Sequence, residues 1–271
     1  MALRINLNTA ALNAHRQLAQ TDTALSKSIE RLSSGYRINR AADDPAGLVI
    51  SENLRAQVSG IGKAIQNSGD AVNMIKTAEG ALTEVHSLLR TMRDLAVHTA
   101  NTGANDDASI AADQSQITEL LAALDRISTN TQFGTKVLLD GSASGLVFQV
   151  GANAGQTMTI DIAEVSASAL SISTIDVTSA AASAMSAIDS AISAVSTTRA
   201  DLGAKQMAVE SNINSLGVAK ENIGASESSV RDADMAAEMV TFTRNQILLQ
   251  AGAAMLTQAN AAPQVLLSLL R

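Results

Sequence analysis

The chain has 271 residues, of which 46% are hydrophobic and only 1% aromatic, and it carries a formal net charge of −7 without any cysteine. The negative charge argues against a nucleic-acid-binding protein, which needs a basic face, and the lack of cysteine excludes a disulfide framework and a thiolate metal site. A composition of Ala, Leu, Ile, Val, Ser and Asn with few prolines favours long helices packed side by side over the aromatic-rich core of a globular enzyme.

Residues 1–34 are predicted to form an amphipathic helix. Leu18, Leu25 and Leu32 recur every seven residues, with Ile29 beside them, which is the spacing of an apolar helical stripe. Gly35 is expected to end the helix in the left-handed conformation. The N-terminus has no uninterrupted apolar region like that of a secretory signal peptide, and no stretch is apolar for long enough to cross a membrane. We therefore expect a soluble protein whose export does not use such a signal.

A connector without helical periodicity follows this helix. It ends at Asp44 and Pro45, which read as an N-cap and a first-turn proline that start a second helix. Periodicity alone leaves two interpretations open, an ordinary solvated loop or a connector with a defined role.

Two further helices are predicted after the connector. From Pro45 to about Ala100 the apolar residues continue in steps of three and four with one drift in register, which indicates a coiled coil or helical bundle. The sequence NTGANDD at 101–107 is a turn, and a third helix runs to about Asn130.

The middle of the chain changes from helical to strand-like patterning. Residues 136–163 contain glycine-rich turns and a strict alternation from Thr157 to Ile162, which predicts a small β-hairpin. The segment that follows, to about Ala180, is rich in Ser, Ala and Thr and only weakly patterned.

The most regular periodicity comes next and predicts a coiled-coil seam before Gly224. Arg199, Gln206 and Lys220 interrupt the seam as polar residues. Its apolar positions are Met185, Ile188, Ile192, Val195, Leu202, Val209, Ile213, Leu216 and Ile223.

Beyond Gly224 a last helix places Met235, Phe242, Leu249 and Leu256 seven residues apart. From Met235 onwards it is almost free of charge, and its apolar residues spread well beyond one stripe. Pairing with the first helix would still leave a large exposed apolar patch. We therefore expect both terminal helices to pack against other copies of the chain.

Catalytic motifs fail on inspection of the sequence. DGSASG at 140–145 resembles a nucleophile elbow, but its central residue is Ala143. The three histidines are too few and too scattered for a histidine-based metal site. We predict no enzymatic activity and no cofactor or metal.

Three segments resemble bacterial flagellin, and the resemblance covers essentially the whole chain. They are IERLSSGYRINRAADDPAG (29–47), AEGALTEVHSLLRTMRDLAVHTAN (78–101) and QILLQAGAAMLTQANAAPQVLLSLLR (246–271). The resemblance implies a mainly α fold, a long antiparallel coiled-coil bundle with a small β-hairpin, and terminal helices that pair in a separate inner layer. The short middle implies that outer insertion domains are absent.

The resemblance also implies a function: a structural subunit that polymerises into the hollow helical filament of the flagellum and serves motility. Residues 1–34 and 227–271 would form the inner tube, and residues 35–226, with the hairpin at about 136–163, the outer tube. The connecting spoke would contain Tyr36, Arg37, Arg40, Asp43, Asp44 and Pro45. The inner-core interface would contain Leu18, Leu25, Ile29, Leu32, Met235, Phe242, Leu249, Leu256, Leu266, Leu267, Leu269 and Leu270.

The partners implied are further copies of the chain, a secretion chaperone on the C-terminal helix, the flagellar export apparatus, and the filament cap and hook-junction proteins. Nucleic acid and membrane insertion are not expected, and the location is the extracellular filament, reached without a cleaved signal peptide. Two alternatives stay open, a hook–filament junction protein and a flagellin homologue with a cell-surface binding role.

A motif similar to the site recognised by the innate immune Toll-like receptor overlaps LRTMRDLAV at 89–97. Arg93, Asp94 and Leu95 fit the family pattern. Thr91 stands where receptor-active flagellins carry Arg, and Gln116 stands where they carry a partnering Glu. The resemblance therefore implies weak or no receptor activation.

Overall fold

The computed structural model describes the backbone of residues 7–269 and the side chains of residues 7–261. Helices dominate this part of the chain, which confirms the predicted mainly α class. The helices are α1 (Thr9–Ser34), α2 (Pro45–Thr99), α3 (Asp107–Asn130), α4 (Val177–Arg231) and α5 (Met235–Leu269). The strands are β1 (Gln132–Phe133), β2 (Lys136–Val137), β3 (Leu146–Gln149) and β4 (Thr157–Ile160).

The ends of α1 follow from two local signals. The Asn8 side-chain oxygen accepts a hydrogen bond from the Ala11 amide at 3.1 Å and caps the first turn. Gly35 has φ of 75° and donates its amide to the Arg31 carbonyl at 2.8 Å, as predicted for a left-handed C-cap.

One compact unit contains Met1–Ala56 and Asn222–Arg271. In it α1 and α5 pair in antiparallel fashion, because Asn8 Nδ2 donates to the Ala259 carbonyl at 2.8 Å while Arg31 pairs with Glu238 at 3.5 Å near the opposite ends of the helices. The pair is thinly packed. Its half-buried apolar residues include Leu18, Leu25, Leu32, Phe242, Leu249 and Leu256.

The second compact unit, Gln57–Glu221, contains the main hydrophobic core. Leu82, Leu89 and Met92 of α2 and Ile117 and Leu124 of α3 are fully buried in it. The seam residues of α4 all face inward. Ile188, Val195, Leu202 and Val209 are buried, Met185, Ile192, Ile213 and Leu216 are half-buried, and Ile223 is half-buried in the other unit.

The predicted hairpin is present as β3 and β4, which pair antiparallel with Leu146 opposite Ile160 and Gln149 opposite Thr157. The weakly patterned segment after the hairpin forms no strand, and hydrogen bonds from side chains of α3 hold its backbone in place. The Asp125 carboxylate accepts the Ala167 amide at 2.8 Å, and the Gln114 side chain bonds both the Ile175 carbonyl and the Val177 amide. Val165 and Ile172 of this segment are buried, although no sequence period indicated it.

One helix boundary lies elsewhere than expected. Gly224 does not separate two helices, because α4 continues through it to Arg231 and the break falls at residues 232–234. The compact units divide at 56/57 and 221/222, so α2 and α4 each continue from one unit into the other. Among the described residues, no helix is long and apolar enough to cross a membrane.

Candidate assembly surface and connector

The connector after α1 is not a free loop, because it pairs with the segment that joins α4 to α5. The Arg37 amide donates to the Arg231 carbonyl at 2.7 Å, and the Ala233 amide donates to the Gly35 carbonyl at 2.9 Å. Tyr36 and Asp232 form an isolated antiparallel bridge. These bonds hold the connector between α1 and α2 beside the segment between α4 and α5.

Arg231 is the centre of the side-chain contacts at this bridge. Its guanidinium lies 4.8 Å from the centroid of the Tyr36 ring, a cation–π distance, and donates to Glu52 at 2.6 Å. Arg231 is buried, and its charge is matched by both the ring and the carboxylate. Sequence reasoning missed Arg231 and Glu52, because nothing local marks a contact between residues so distant in the chain.

Asp43 organises the second half of the connector. Its carboxylate accepts from Lys27 Nζ at 2.7 Å and from the amides of Arg40 and Asn39 at 3.1 and 3.3 Å. The hydrogen bond from Lys27, followed by those from the backbone, lowers the pKa of Asp43 to about 2. Arg40 in turn donates to Glu30 of α1 at 2.8 Å.

Asp44 starts α2 as predicted. Its side chain accepts from the Gly47 amide at 2.9 Å. A Cβ on Gly47 would collide with the Asp44 carboxylate and with Ile38, which is buried. Glycine is therefore needed here for close approach, and Pro45 occupies the first helical position.

The α1–α5 pair exposes much of its apolar surface. Ile29 and Met235, both predicted interface residues, are exposed, while the predicted leucines and Phe242 are half-buried between the two helices. The predicted residues Leu266, Leu267, Leu269 and Leu270 lie outside the part of the chain whose side chains are described. Other exposed apolar residues of the pair are Leu12, Met239, Val240, Ile247, Leu248 and Met255.

The receptor-like motif lies on α2 and α3 in the second unit. Thr91 and Asp94 are exposed, Leu95 is half-buried, and Gln116 is exposed on α3. Arg93 Nε donates to the Asp189 carboxylate of α4 at 2.6 Å, so the one arginine that fits the pattern has a partner within the chain.

Two family models match the chain: the bacterial flagellin N-terminal helical region at residues 5–144 and the bacterial flagellin C-terminal helical region at residues 185–270. The flagellin of Halalkalibacterium halodurans is 47% identical over 272 residues, which cover 98% of this chain and 99% of that protein. The chain belongs to the flagellin family. The flagellin of Bacillus subtilis is 44% identical over 99% of this chain and its own full length. A crystal structure of Bacillus cereus flagellin matches 56% of this chain and 88% of its own with a TM-score of 0.50 at 25% identity.

Membership makes the chain a structural subunit of the extracellular filament of the bacterial flagellum. Both relatives are named flagellin and match over nearly their full length, which favours the filament subunit over a hook–filament junction protein. The exposed α1–α5 surface thus belongs to a protein that assembles with copies of itself.

Proposed function

We propose that the exposed apolar face of the α1–α5 pair is a principal contact between copies of the chain and belongs to the inner tube of the filament. The helical bundle of the second unit is assigned to the outer tube. The observation that carries this assignment is the exposure of Val240 and Ile247 of α5, at 70% and 60%.

Internal packing supports the proposal. Among the described side chains of the first unit, Ile38 is the one apolar side chain that is buried, and it lies in the connector. The buried side chain of α1 is Ser28, and that of α5 is Asn245. The helix pair therefore gains little from its own core and still has exposed apolar side chains to bury against another molecule.

Charge supports a second copy as the occupant of this face. From Met235 to Ala261 the charged residues are Glu238 and Arg244, and Glu238 already pairs with Arg31. Covering the α5 side of this face therefore desolvates few charges, which favours its burial against another apolar surface. A fully buried Val or Ile side chain is worth roughly 1.5–3 kcal/mol. The same contact repeated between copies, without closing a ring, builds a helical polymer.

The decisive experiment compares two double variants in seeded filament growth. Val240→Ser with Ile247→Ser removes apolar surface, whereas Val240→Ile with Ile247→Val exchanges the two side chains and keeps it. We expect the serine variant to lose elongation or to raise the critical concentration by at least about tenfold, which corresponds to about 1.4 kcal/mol. The exchange variant should elongate nearly normally.

Circular dichroism separates assembly from folding in this comparison. Both side chains are exposed in the single chain, so the melting temperature of the monomer should change little in either variant. Normal elongation by the serine variant would refute the proposed contact.

The remaining partners are proposed from the family and from the same surface. An exposed, nearly uncharged α5 needs protection before assembly, which suits a secretion chaperone on the C-terminal helix. Export through the flagellar secretion channel, and contacts with filament cap and hook-junction proteins, complete the proposal. No catalytic role is proposed.

A further inference from the structure

Three of the exposed apolar side chains on α5 are methionines. Met235, Met239 and Met255 are 45%, 51% and 65% exposed. A thioether can be oxidised, which the valine, isoleucine and leucine around it cannot, and the sulfoxide product is polar. These methionines thus combine apolar contact area with chemical sensitivity.

Their positions bring them to different parts of the surface. Met239 lines a shallow, mainly apolar depression of about 470 Å³, whose other lining residues are Val240, Thr243, Arg244, Ile247 and Leu248. Met255 lines a second depression, of about 250 Å³, with Leu18 of α1 and with Leu248 and Gly252 of α5. A copy that covered these depressions would lie against the Met239 side chain in one and the Met255 side chain in the other.

Exposure makes these sulfurs accessible in the single chain. Met74 and Met92, in the core of the second unit, are 2% and 0% exposed and are shielded from a dissolved oxidant. The oxidation that matters therefore falls on the free subunit, before its α5 surface is covered.

We propose that Met235, Met239 and Met255 are oxidant-sensitive positions of the α5 surface, and that their conversion to methionine sulfoxide blocks filament assembly. The inference rests on the proposed function of the α1–α5 face. The oxidant is a hydroperoxide, of which hydrogen peroxide is the simplest. The sulfur lone pair attacks one peroxide oxygen, an S–O bond forms, the O–O bond breaks, and the departing hydroxide takes the remaining peroxide proton to become water.

The chemistry explains how a small modification acts on assembly. The sulfur loses two electrons and the peroxide gains them, while the side chain keeps its length and acquires a strongly polar S–O group. Burying that group against the apolar side chains of another copy carries a desolvation cost that the thioether does not have. Methionine sulfoxide reductases, with a thiol reductant, return the thioether, so the block is reversible.

The test uses full-length subunits in seeded elongation, with and without mild treatment by hydrogen peroxide. The wild type is compared with the triple variant Met235→Leu, Met239→Leu and Met255→Leu, which keeps apolar volume and cannot be oxidised at these three positions. Met207 of α4 is exposed in both proteins, so its oxidation serves as the matched control. Mass spectrometry counts the sulfoxides on each.

We expect peroxide to raise the critical concentration of the wild type by about tenfold or more, the equivalent of about 1.4 kcal/mol. The triple variant should elongate equally well before and after treatment although Met207 is oxidised. Methionine sulfoxide reductases with dithiothreitol should restore the wild type. A second variant, Met239→Gln with Met255→Gln, should lose elongation without any oxidant, because it places a polar group at the same positions.

Two outcomes would overturn the inference: normal elongation by wild type shown to carry all three sulfoxides, or equal inhibition of the leucine variant. Either failure is distinct from failure of the proposed function. If the proposed function were wrong, the variant Val240→Ser with Ile247→Ser, which involves no sulfur chemistry, would itself elongate normally.

Discussion

Asn67 and Asn212 lie on different helices and donate to consecutive carbonyl groups at the start of the same hairpin loop. Asn67 Nδ2 of α2 reaches the Gln149 carbonyl at 3.0 Å, and Asn212 Nδ2 of α4 reaches the Val150 carbonyl at 2.9 Å. Each bond spans a large sequence separation, so together they fasten the loop to both long helices of the second unit. The hairpin is thereby positioned by side chains that give no strand signal.

Replacing Asn67 with Ala should destabilise the second unit by about 0.5–1.5 kcal/mol, because a half-buried carbonyl loses its donor. The same holds for Asn212→Ala, and the double variant should show whether the two bonds act independently. Urea unfolding of the monomer measures the effect. Asn73→Ala, at an exposed position of α2, is the matched control. Equal stability of the Asn67 and Asn73 variants would show that the hydrogen bond of Asn67 to the loop does not stabilise the second unit.

The bond between Lys27 and Asp43 should give the connector a pH dependence. The pKa of Asp43 is lowered from the usual 3.8 to about 2, so the carboxylate stabilises the folded connector above pH 3.8 and loses that effect as the pH falls towards 2. Lys27→Gln should raise the pKa of Asp43 towards its usual value. Carboxyl chemical shifts in an NMR titration measure this directly.

The free energy of unfolding of wild type and of the Lys27→Gln variant should depend on pH over the range in which Asp43 titrates. Wild type and the Lys27→Gln variant should differ most above about pH 4 and converge near pH 2. A titration midpoint for Asp43 that is the same in both proteins would show that Lys27 does not hold the carboxylate.

Glycines in the second unit should divide into two classes on substitution. Gly80 lies in the exposed part of α2, where an added Cβ meets nothing within 4 Å. Gly80→Ala should stabilise the monomer by about 0.5–1 kcal/mol, because glycine in a helix interior is costly. Gly151 is buried in the hairpin loop, and an added Cβ would collide with the side chain of Gln156. Gly151→Ala should therefore destabilise. Thermal unfolding measures both effects. Melting temperatures of the two variants that shift in the same direction would contradict this division.

Local signals predicted most of the helical architecture. Gly35 ends α1, Asp44 and Pro45 begin α2, and the seam periodicity of α4 predicted which of its residues face inward. The continuation of α4 through Gly224 was not predictable. A glycine disfavours a helix by its own propensity, but it is tolerated where the surrounding residues are helical.

The assembly surface was predicted less fully than the fold. A seven-residue repeat defines a stripe, but it does not say which part of the stripe a chain covers for itself. Leu18 and Leu249 are half-buried between α1 and α5, whereas Ile29 and Met235 are exposed. The contact of Arg231 with Tyr36 and Glu52 had no sequence signal either, since it depends on the return of α4 beside the connector.

The final prediction concerns the receptor-like motif on α2. By the family resemblance, Thr91 and Gln116 stand where receptor-active flagellins carry Arg and Glu, so we expect two charged contacts to be missing, each worth about 1.5–3 kcal/mol. Arg93, which fits the family pattern, pairs with Asp189 at 2.6 Å within the chain, and this ion pair would compete with any contact between Arg93 and a receptor. We expect the monomer to activate the receptor weakly or not at all in reporter cells. Thr91→Arg with Gln116→Glu should raise its potency, because both substituted positions are exposed and can present the restored charges. Thr77→Arg, at another exposed threonine of α2, should have no such effect. Potency of the unmodified monomer equal to that of an enteric flagellin would contradict the prediction, because the two missing ionic contacts would then not limit recognition.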